Sequence, residues 1–294
     1  MHLKREVLVE NRGGSSGLIG AESVSKAAPD GHTLLLLSTG LVTASELPSN
    51  ATATPFRLKP KLLGYVGSIA TTPYLLIAAE KPKVRALADL PKRDGNVILA
   101  YPGEGTPSKH NVDVLTRTLR EKWTAVPYRG LGPAINDLES GHVAAVFSTY
   151  WNAAHKLREG KLHAIAVASD SRQPALPDVP TLRERGHAGN YIEEWYGLAV
   201  AADTPPELIK ALSAALERAL KSETVNKALK ENRVTPWSLG GEKFSEFVAG
   251  EFQKVARPQH STGGGGGGST CSDDSKCYCE RRRECQNKPC TNCS

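Results

Sequence analysis

Four short groups of glycine and hydroxyl residues in this sequence have the types and spacing to hold an anion. The first is Gly103-Glu104-Gly105-Thr106-Pro107-Ser108, which follows an apolar run and precedes a stretch with helical spacing. At such a turn glycine lets a ligand approach the main chain. The first turn of the helix also offers unpaired N–H groups and the positive end of its dipole. Thr106 and Ser108 add hydroxyl donors and can cap the helix, so the same residues also read as an ordinary capped strand-to-helix turn. Gly130-Leu131-Gly132-Pro133 is a second glycine-rich helix entrance and equally a packing turn. Ser38 and Thr39 end an apolar strand, where open α/β sheets place ligands, or serve simply as strand-end caps. Ser148 and Thr149 end another such strand. One favourable helix-end placement contributes about 0.3 to 1 kcal/mol at an exposed site, so several must converge to give useful affinity.

Other chemistries find little support. No Gly-X-Ser-X-Gly elbow, His-Glu-X-X-His pair or phosphate-loop pattern occurs, and the eight histidines are scattered singly. Gly13-Gly14-Ser15-Ser16-Gly17 follows an apolar run but lacks the Gly-X-Gly-X-X-Gly spacing of a dinucleotide turn. No catalytic residue, cofactor or metal site is therefore expected. The net charge of +6 is spread along the chain, and the one tight basic run, Arg281-Arg282-Arg283, is flanked by Glu280 and Glu284, so nucleic acid is not an expected partner. Apolar runs such as residues 34–37 and 198–202 fall far short of the roughly 18 residues a membrane span needs.

The elements that would carry these groups read as alternating strands and helices. Residues 7–9 form a short apolar strand, residues 22–28 a helix stopped by Pro29, and residues 33–37 a second strand after Asp30-Gly31. That order predicts one βαβ unit with parallel strands. Residues 40–61, rich in Ser, Thr, Asn and Pro, read as a surface excursion. Strands follow at residues 62–69, 74–79, 97–101 and 143–147, and a helix at residues 109–120 with Val112, Leu115 and Leu119 on one face. Three amphipathic helices, at about residues 206–221, 223–231 and 241–256, complete the body.

Several of these segments share their wording with a known family. Val7-Leu8-Val9-Glu10-Asn11-Arg12-Gly13-Gly14 and Ala28-Pro29-Asp30-Gly31-His32-Thr33-Leu34-Leu35 resemble the N-terminal hallmark of the solute-binding receptors of tripartite tricarboxylate transporters, the Bug family. Val126-Pro127-Tyr128-Arg129-Gly130, the Pro133-Ala134-Ile135-Asn136-Asp137-Leu138 helix and the Gly141-His142-Val143 turn extend the likeness. So do the three spaced prolines of Pro174-Ala175-Leu176-Pro177-Asp178-Val179-Pro180 and the Glu194-Trp195-Tyr196-Gly197 segment. The resemblance covers roughly residues 7–255. It implies an α/β, two-lobed fold of the periplasmic-binding-protein type II kind, with a hinge and a central cleft. Residues 1–97 and 195–256 would form the first lobe, with residues 74–79 completing its sheet, and residues 98–194 the second.

The resemblance further implies an extracytoplasmic receptor, a monomer, that captures a small carboxylate and hands it to membrane subunits of a transporter. In the family the loop corresponding to Gly103, Gly105, Thr106 and Ser108 grips a ligand carboxylate from the second lobe. Here Lys109 stands at the usual histidine position, with His110 displaced by one. Some relatives carry an aspartate, which meets a ligand amino group, where this chain has Ser148; a simple carboxylic acid is thus the better fit. Location by resemblance is the periplasm, although Met1-His2-Leu3-Lys4-Arg5-Glu6 has no apolar segment behind its basic residues and no signal peptide is read here. Relatives place a strand, a glycine-rich turn and a helix before the opening segment, which supply the first lobe's half of the grip. Residues 1–6 would be the end of that helix, and a weakened or absent ligand affinity is expected.

All six cysteines, Cys271, Cys277, Cys279, Cys285, Cys290 and Cys293, follow the glycine run at residues 263–268. They allow 15 disulfide pairings by counting alone. A disulfide knot, a thiolate metal site and sequence foreign to the receptor are the competing readings. The third is preferred, with residues 257–294 a disordered linker and tail.

Overall fold

Apolar strands of four to ten residues cannot each bury both faces alone, and here they assemble into two sheets. The computed structural model describes residues 6–12, 14–46, 54–81, 84–119 and 123–256. The described residues fall within one compact unit; the cysteine-rich tail lies outside them. The first sheet has four strands in the order β1 (Leu35–Ser38), β9 (Glu194–Ala201), β2 (Leu63–Thr72) and β10 (Thr235–Pro236), every neighbour antiparallel. The second runs β4 (Lys92–Arg93), β5 (Asn96–Tyr101), β7 (Ala145–Thr149), β3 (Tyr74–Ala79) and β8 (Leu162–Ala168), with β6 (Trp123–Pro127) also paired to β5. Strand β5 is parallel to both β6 and β7, whereas β3 is antiparallel to β7 and β8.

Helices cover both sheets. Against the second sheet, α3 (Pro107–Thr118) buries Val112 and Leu115 on the face that carries Leu76, Leu99 and Phe147. The opposite face, with Leu75, Ile77 and Val146, packs against α4 (Leu131–Glu139) and α5 (Tyr150–Arg158). Successive residues of β3 thus serve alternate cores, as the period of two requires. The first sheet packs with α1 (Leu18–Ser25), α2 (Thr39–Ser45) and α8 (Gly241–Ala256) around Leu37, Trp195 and Phe244. Rings of Trp195, Trp237, Phe244 and Phe247 meet mostly edge to face, with Trp237 and Phe247 only 4.6 Å apart. Helix α6 (Pro206–Leu220) lies on β2, and α7 (Glu223–Glu231) follows it. The last three helices match the sequence reading to within a residue.

Five expectations are corrected. Residues 7–9 form no strand: Val7, Leu8 and Val9 are 69–85% exposed. The predicted βαβ unit is absent because β1 takes as neighbour the distant β9, antiparallel, and the helix between sits earlier, at Leu18–Ser25. Within residues 40–61, read as a surface excursion, α2 is instead a buried helix. Its Thr43 and Ser45 hydroxyls donate to the Thr39 and Leu41 carbonyls, so polar residues enter the core with their hydrogen bonds made. Tyr74–Ala79 does not complete the first sheet. It opens the second, because Pro73 separates it from β2 and its partners are Ala145–Thr149 and Leu162–Ala168. Finally, Ser148 and Thr149 lie inside β7, which runs two residues further than the apolar pattern suggests.

Candidate functional site

Parallel pairing decides where the glycine turns fall. Strands β6, β5 and β7 run the same way and are adjacent, with Tyr101 opposite Pro127 and Ala100 opposite Val146. Their carboxyl ends therefore open on one edge of the sheet, the edge where open α/β sheets bind ligands. Residues 103–108 follow β5, Gly130 and Gly132 follow β6, and Ser148 and Thr149 close β7. Tyr128 links the first two turns: its N–H donates to the Tyr101 carbonyl at 2.8 Å, and its own carbonyl lies 3.9 Å from the position a Gly103 side chain would take. Three of the four sequence-predicted groups are thus brought together.

The β5–α3 turn is built by its own glycines and cap. Gly103 and Gly105 hold φ values of 127° and 70°, where a side chain would be strained. Thr106 caps α3, accepting the Lys109 N–H at 3.2 Å and donating to the Gly103 carbonyl at 2.8 Å. Ser108 is buried and donates to the Phe147 carbonyl at 2.9 Å, pinning α3 to β7. Both hydroxyl protons are committed to the fold, which leaves main-chain N–H groups as this turn's donors. The charge of Glu104 accepts the Tyr101 O–H at 2.6 Å; burial and that carboxylate push the Tyr101 phenol up to about 12. Lys109 pairs with Asp113 at 2.6 Å and faces the Tyr101 ring.

At β6 and β7 the pattern repeats with different chemistry. Gly130, at φ 109°, opens α4, and a side chain added at Gly130 or Gly132 would meet nothing within 4 Å. Ser148, fully buried, donates to the Thr149 carbonyl at 3.0 Å, while Thr149 accepts the Asn152 amide at 2.9 Å where α5 begins.

The fourth group belongs to the other sheet. Ser38 ends β1 and precedes α2. Thr39 is buried; its hydroxyl donates to the Glu193 carbonyl at 3.0 Å and accepts the Trp195 N–H at 2.9 Å. Thr39 thereby clamps the start of α2 to the entry of β9, and α2 touches α3 across the sheets.

Beside Thr39 stands a pair that sequence reasoning missed. Tyr74, first residue of β3, donates its O–H to Glu194, first residue of β9, at 2.5 Å. Glu194 is 7% exposed and also receives the Gly40 N–H; burial outweighs both hydrogen bonds and raises its carboxyl to about 7. Tyr74 is driven well above its usual range by burial and by that carboxylate. The available signal was a glutamate at the mouth of an apolar strand, where a charge has no water to face. Next to it Glu193 is also raised by burial, and its carboxylate accepts the Thr71 O–H at 3.3 Å. Among the described residues there is no cluster of three or more His, Cys, Asp or Glu that could hold a metal ion, and no helix is long and apolar enough to cross a membrane.

Comparison with known proteins agrees with this architecture. Residues 1–259 match the family described as the tripartite tricarboxylate transporter family receptor. Protein BugT of Bordetella pertussis is 30% identical over 265 residues, 89% of this chain and 81% of BugT. A protein from the TAR-I ttuE-ttuC' intergenic region of Agrobacterium vitis is 34% identical over 227 residues, 76% of this chain; the match spans 64% of that relative's length. MatC of Rhodopseudomonas palustris, solved with bound malate, has 30% identity and a TM-score of 0.74, covering 87% of this chain and 88% of MatC. The periplasmic binding protein BugD gives 28% identity and a TM-score of 0.73, covering 87% and 86%. R. palustris Rpa4515, solved with adipate, gives 25% and 0.74, covering 87% of each chain. The fold is the two-lobed one of these binding proteins, and the chain belongs to the tripartite tricarboxylate transporter family of receptors.

Proposed function

We propose that this protein captures a small carboxylic acid outside the cytoplasm, in the periplasm, and presents it to the membrane subunits of a tripartite tricarboxylate transporter. The observation that carries this reading is the convergence of three turns, at residues 103–108, 130–132 and 148–149, on the carboxyl edge of three parallel strands. The glycine turn before α3 and the uncapped first turn of α5 direct main-chain N–H groups to that edge, beside the positive dipole ends of both helices, an arrangement suited to a carboxylate. Solved relatives with malate and adipate support the ligand class. No charge is present at Ser148 to meet a ligand ammonium group, which favours a simple acid over an amino acid.

In this reading the four-stranded sheet forms one lobe and the six-stranded sheet, from Tyr74 to about residue 192, the other. The chain crosses between them at Pro73 and again before Glu194. Ser38 and Thr39 face the second lobe's turns, and the lobes close on the ligand by hinge motion as a monomer. Calorimetric and thermal-shift titration with malate, adipate and related mono- and dicarboxylates tests it. At 100 times the dissociation constant a ligand stabilises by about 2.7 kcal/mol, a readily measured rise in midpoint. Silence across the whole panel would show that this chain is not a working carboxylate receptor.

A further inference from the structure

Glu194 is a buried acid in a place where a carboxylate receptor should have least use for one. Its carboxyl is tied through the Tyr74 hydroxyl to β3, whose cross-strand neighbour at that position is Thr149, and through the Gly40 N–H to the turn after Ser38 and Thr39. It therefore stands between the candidate ligand residues of the two sheets. Among the described residues no cation acts on its carboxyl; on α8, Lys254 and Glu251 act on the neighbouring Glu193. Tyr74 on β3 and Tyr196 on its own strand are both held neutral by burial. Gly40 contributes only a main-chain dipole, and β2 presents Thr72 opposite it. Glu193, its chain neighbour, points its carboxyl to Thr71 and adds a further acid.

We propose that ligand capture is coupled to proton uptake at Glu194, so that the receptor binds a carboxylate together with one proton. This rests on the carboxylate reading above. When a second carboxylate enters a site that already holds a buried one, both cannot remain ionised at low cost, and one of them takes a proton. The ligand is anchored by converging N–H groups that favour its charge, so the proton goes to Glu194, the acid burial has already pushed toward neutrality. Bond making is limited to one O–H: the proton comes from solvent and settles on a carboxyl oxygen of Glu194. Tyr74 then keeps its hydrogen bond to the other oxygen. The acid group thereby sets specificity as well, since a fully ionised site would reject the second charge.

The test is titration calorimetry with malate and adipate between pH 6.5 and 8.5, where both acids are essentially fully ionised, in buffers of differing ionisation enthalpy. Wild type should take up close to one proton per ligand toward the alkaline end, its affinity falling up to tenfold per pH unit there. E194Q should bind with no uptake and a flat profile. Y74F retains the carboxyl but loses a hydrogen bond that favours its ionised form; its uptake should persist, with the fall in affinity moved to higher pH. This variant also keeps the question open to measurement if E194Q folds poorly. Equal uptake in wild type and E194Q would overturn the coupling while leaving the receptor reading intact, and so would binding to wild type without uptake. Absence of any binding in wild type would overturn the receptor reading, and the coupling with it.

Discussion

The two sheets treat the same kind of residue in opposite ways. At the edge of the six-stranded sheet, parallel strands β6, β5 and β7 deliver three turns to one place, and glycines at 103, 105 and 130 keep the main chain bare. In the four-stranded sheet every neighbour is antiparallel. There the hydroxyl of Thr39 is spent holding α2 to β9, and the carboxyl of Glu194 is held by the Tyr74 hydroxyl. In the proposed reading the parallel edge gathers donors for a ligand, whereas the antiparallel sheet uses its polar groups to lock the crossing between sheets. Hydroxyl side chains look alike in sequence on both sides; what separates them is which partner the fold places within reach.

The largest effect should come from the core of the antiparallel side. Phe244 is fully buried against Tyr65, Trp195 and Trp237, and an added side chain on Gly197 would sit 2.1 Å from its ring. Phe244→Ala should destabilise the protein by about 3 to 5 kcal/mol in urea unfolding. If the six-stranded sheet stays folded through that transition, the two sheets unfold separately and two transitions will appear. A single transition ties them into one cooperative unit.

Next is the pH dependence at the crossing. Glu194 is raised from 4.5 to about 7 in the folded protein. Between those values the unfolded chain is ionised there and the folded chain is not, so the unfolded state holds fewer protons and stability falls as pH rises. The contribution is fully present below 4.5 and lost by about pH 7, a difference of roughly 3 kcal/mol. Subtracting the E194Q profile from wild type isolates it. A difference that grows with pH over this window would contradict the buried, weakly compensated carboxyl.

How much of this contrast was legible follows the same division. The turn at residues 103–108, its helix and the glycine entrance at residues 130–132 are local patterns, and residue types alone placed them. The helices near residues 206–256 were equally plain, because their apolar spacing is set within one element. Pairing was not legible. Residues 7–9 have strand composition but gain no ladder, and Tyr74–Ala79 belongs to the sheet beyond Pro73. Thr39 meets Glu193 and Trp195, and Tyr74 meets Glu194, each across more than a hundred residues of chain, a distance no periodicity reports. The buried helix at Thr39–Ser45 escaped notice because its polar residues satisfy themselves on their own carbonyls.

A smaller effect separates structure from binding at Thr39. Thr39→Val keeps the shape but leaves the Trp195 N–H and the Glu193 carbonyl without their shared hydroxyl. A buried group left unsatisfied costs about 1 to 3 kcal/mol, so chemical denaturation should show a loss in that range. Ligand affinity should fall less, since this hydroxyl is already engaged within the fold. An affinity loss larger than the stability loss would move Thr39 from the crossing into the ligand contacts.

The smallest expected change in stability falls on the parallel edge, at Thr106. Its hydroxyl caps α3 through the Lys109 N–H and steadies Gly103 through the carbonyl of that residue. Thr106→Ala should cost about 1 kcal/mol of stability, as loss of a cap does. Carboxylate affinity should suffer more than that loss implies, because the turn that presents the main-chain N–H groups loses its internal brace. Thr106→Ser restores the same acceptor and donor and should recover both quantities. The contrast with Thr39→Val is the sharpest reading of the two sheets: the same residue type, mutated on the antiparallel side, should move stability first, and on the parallel side binding first. If both variants change stability and affinity in equal proportion, the division of labour between the sheets is wrong.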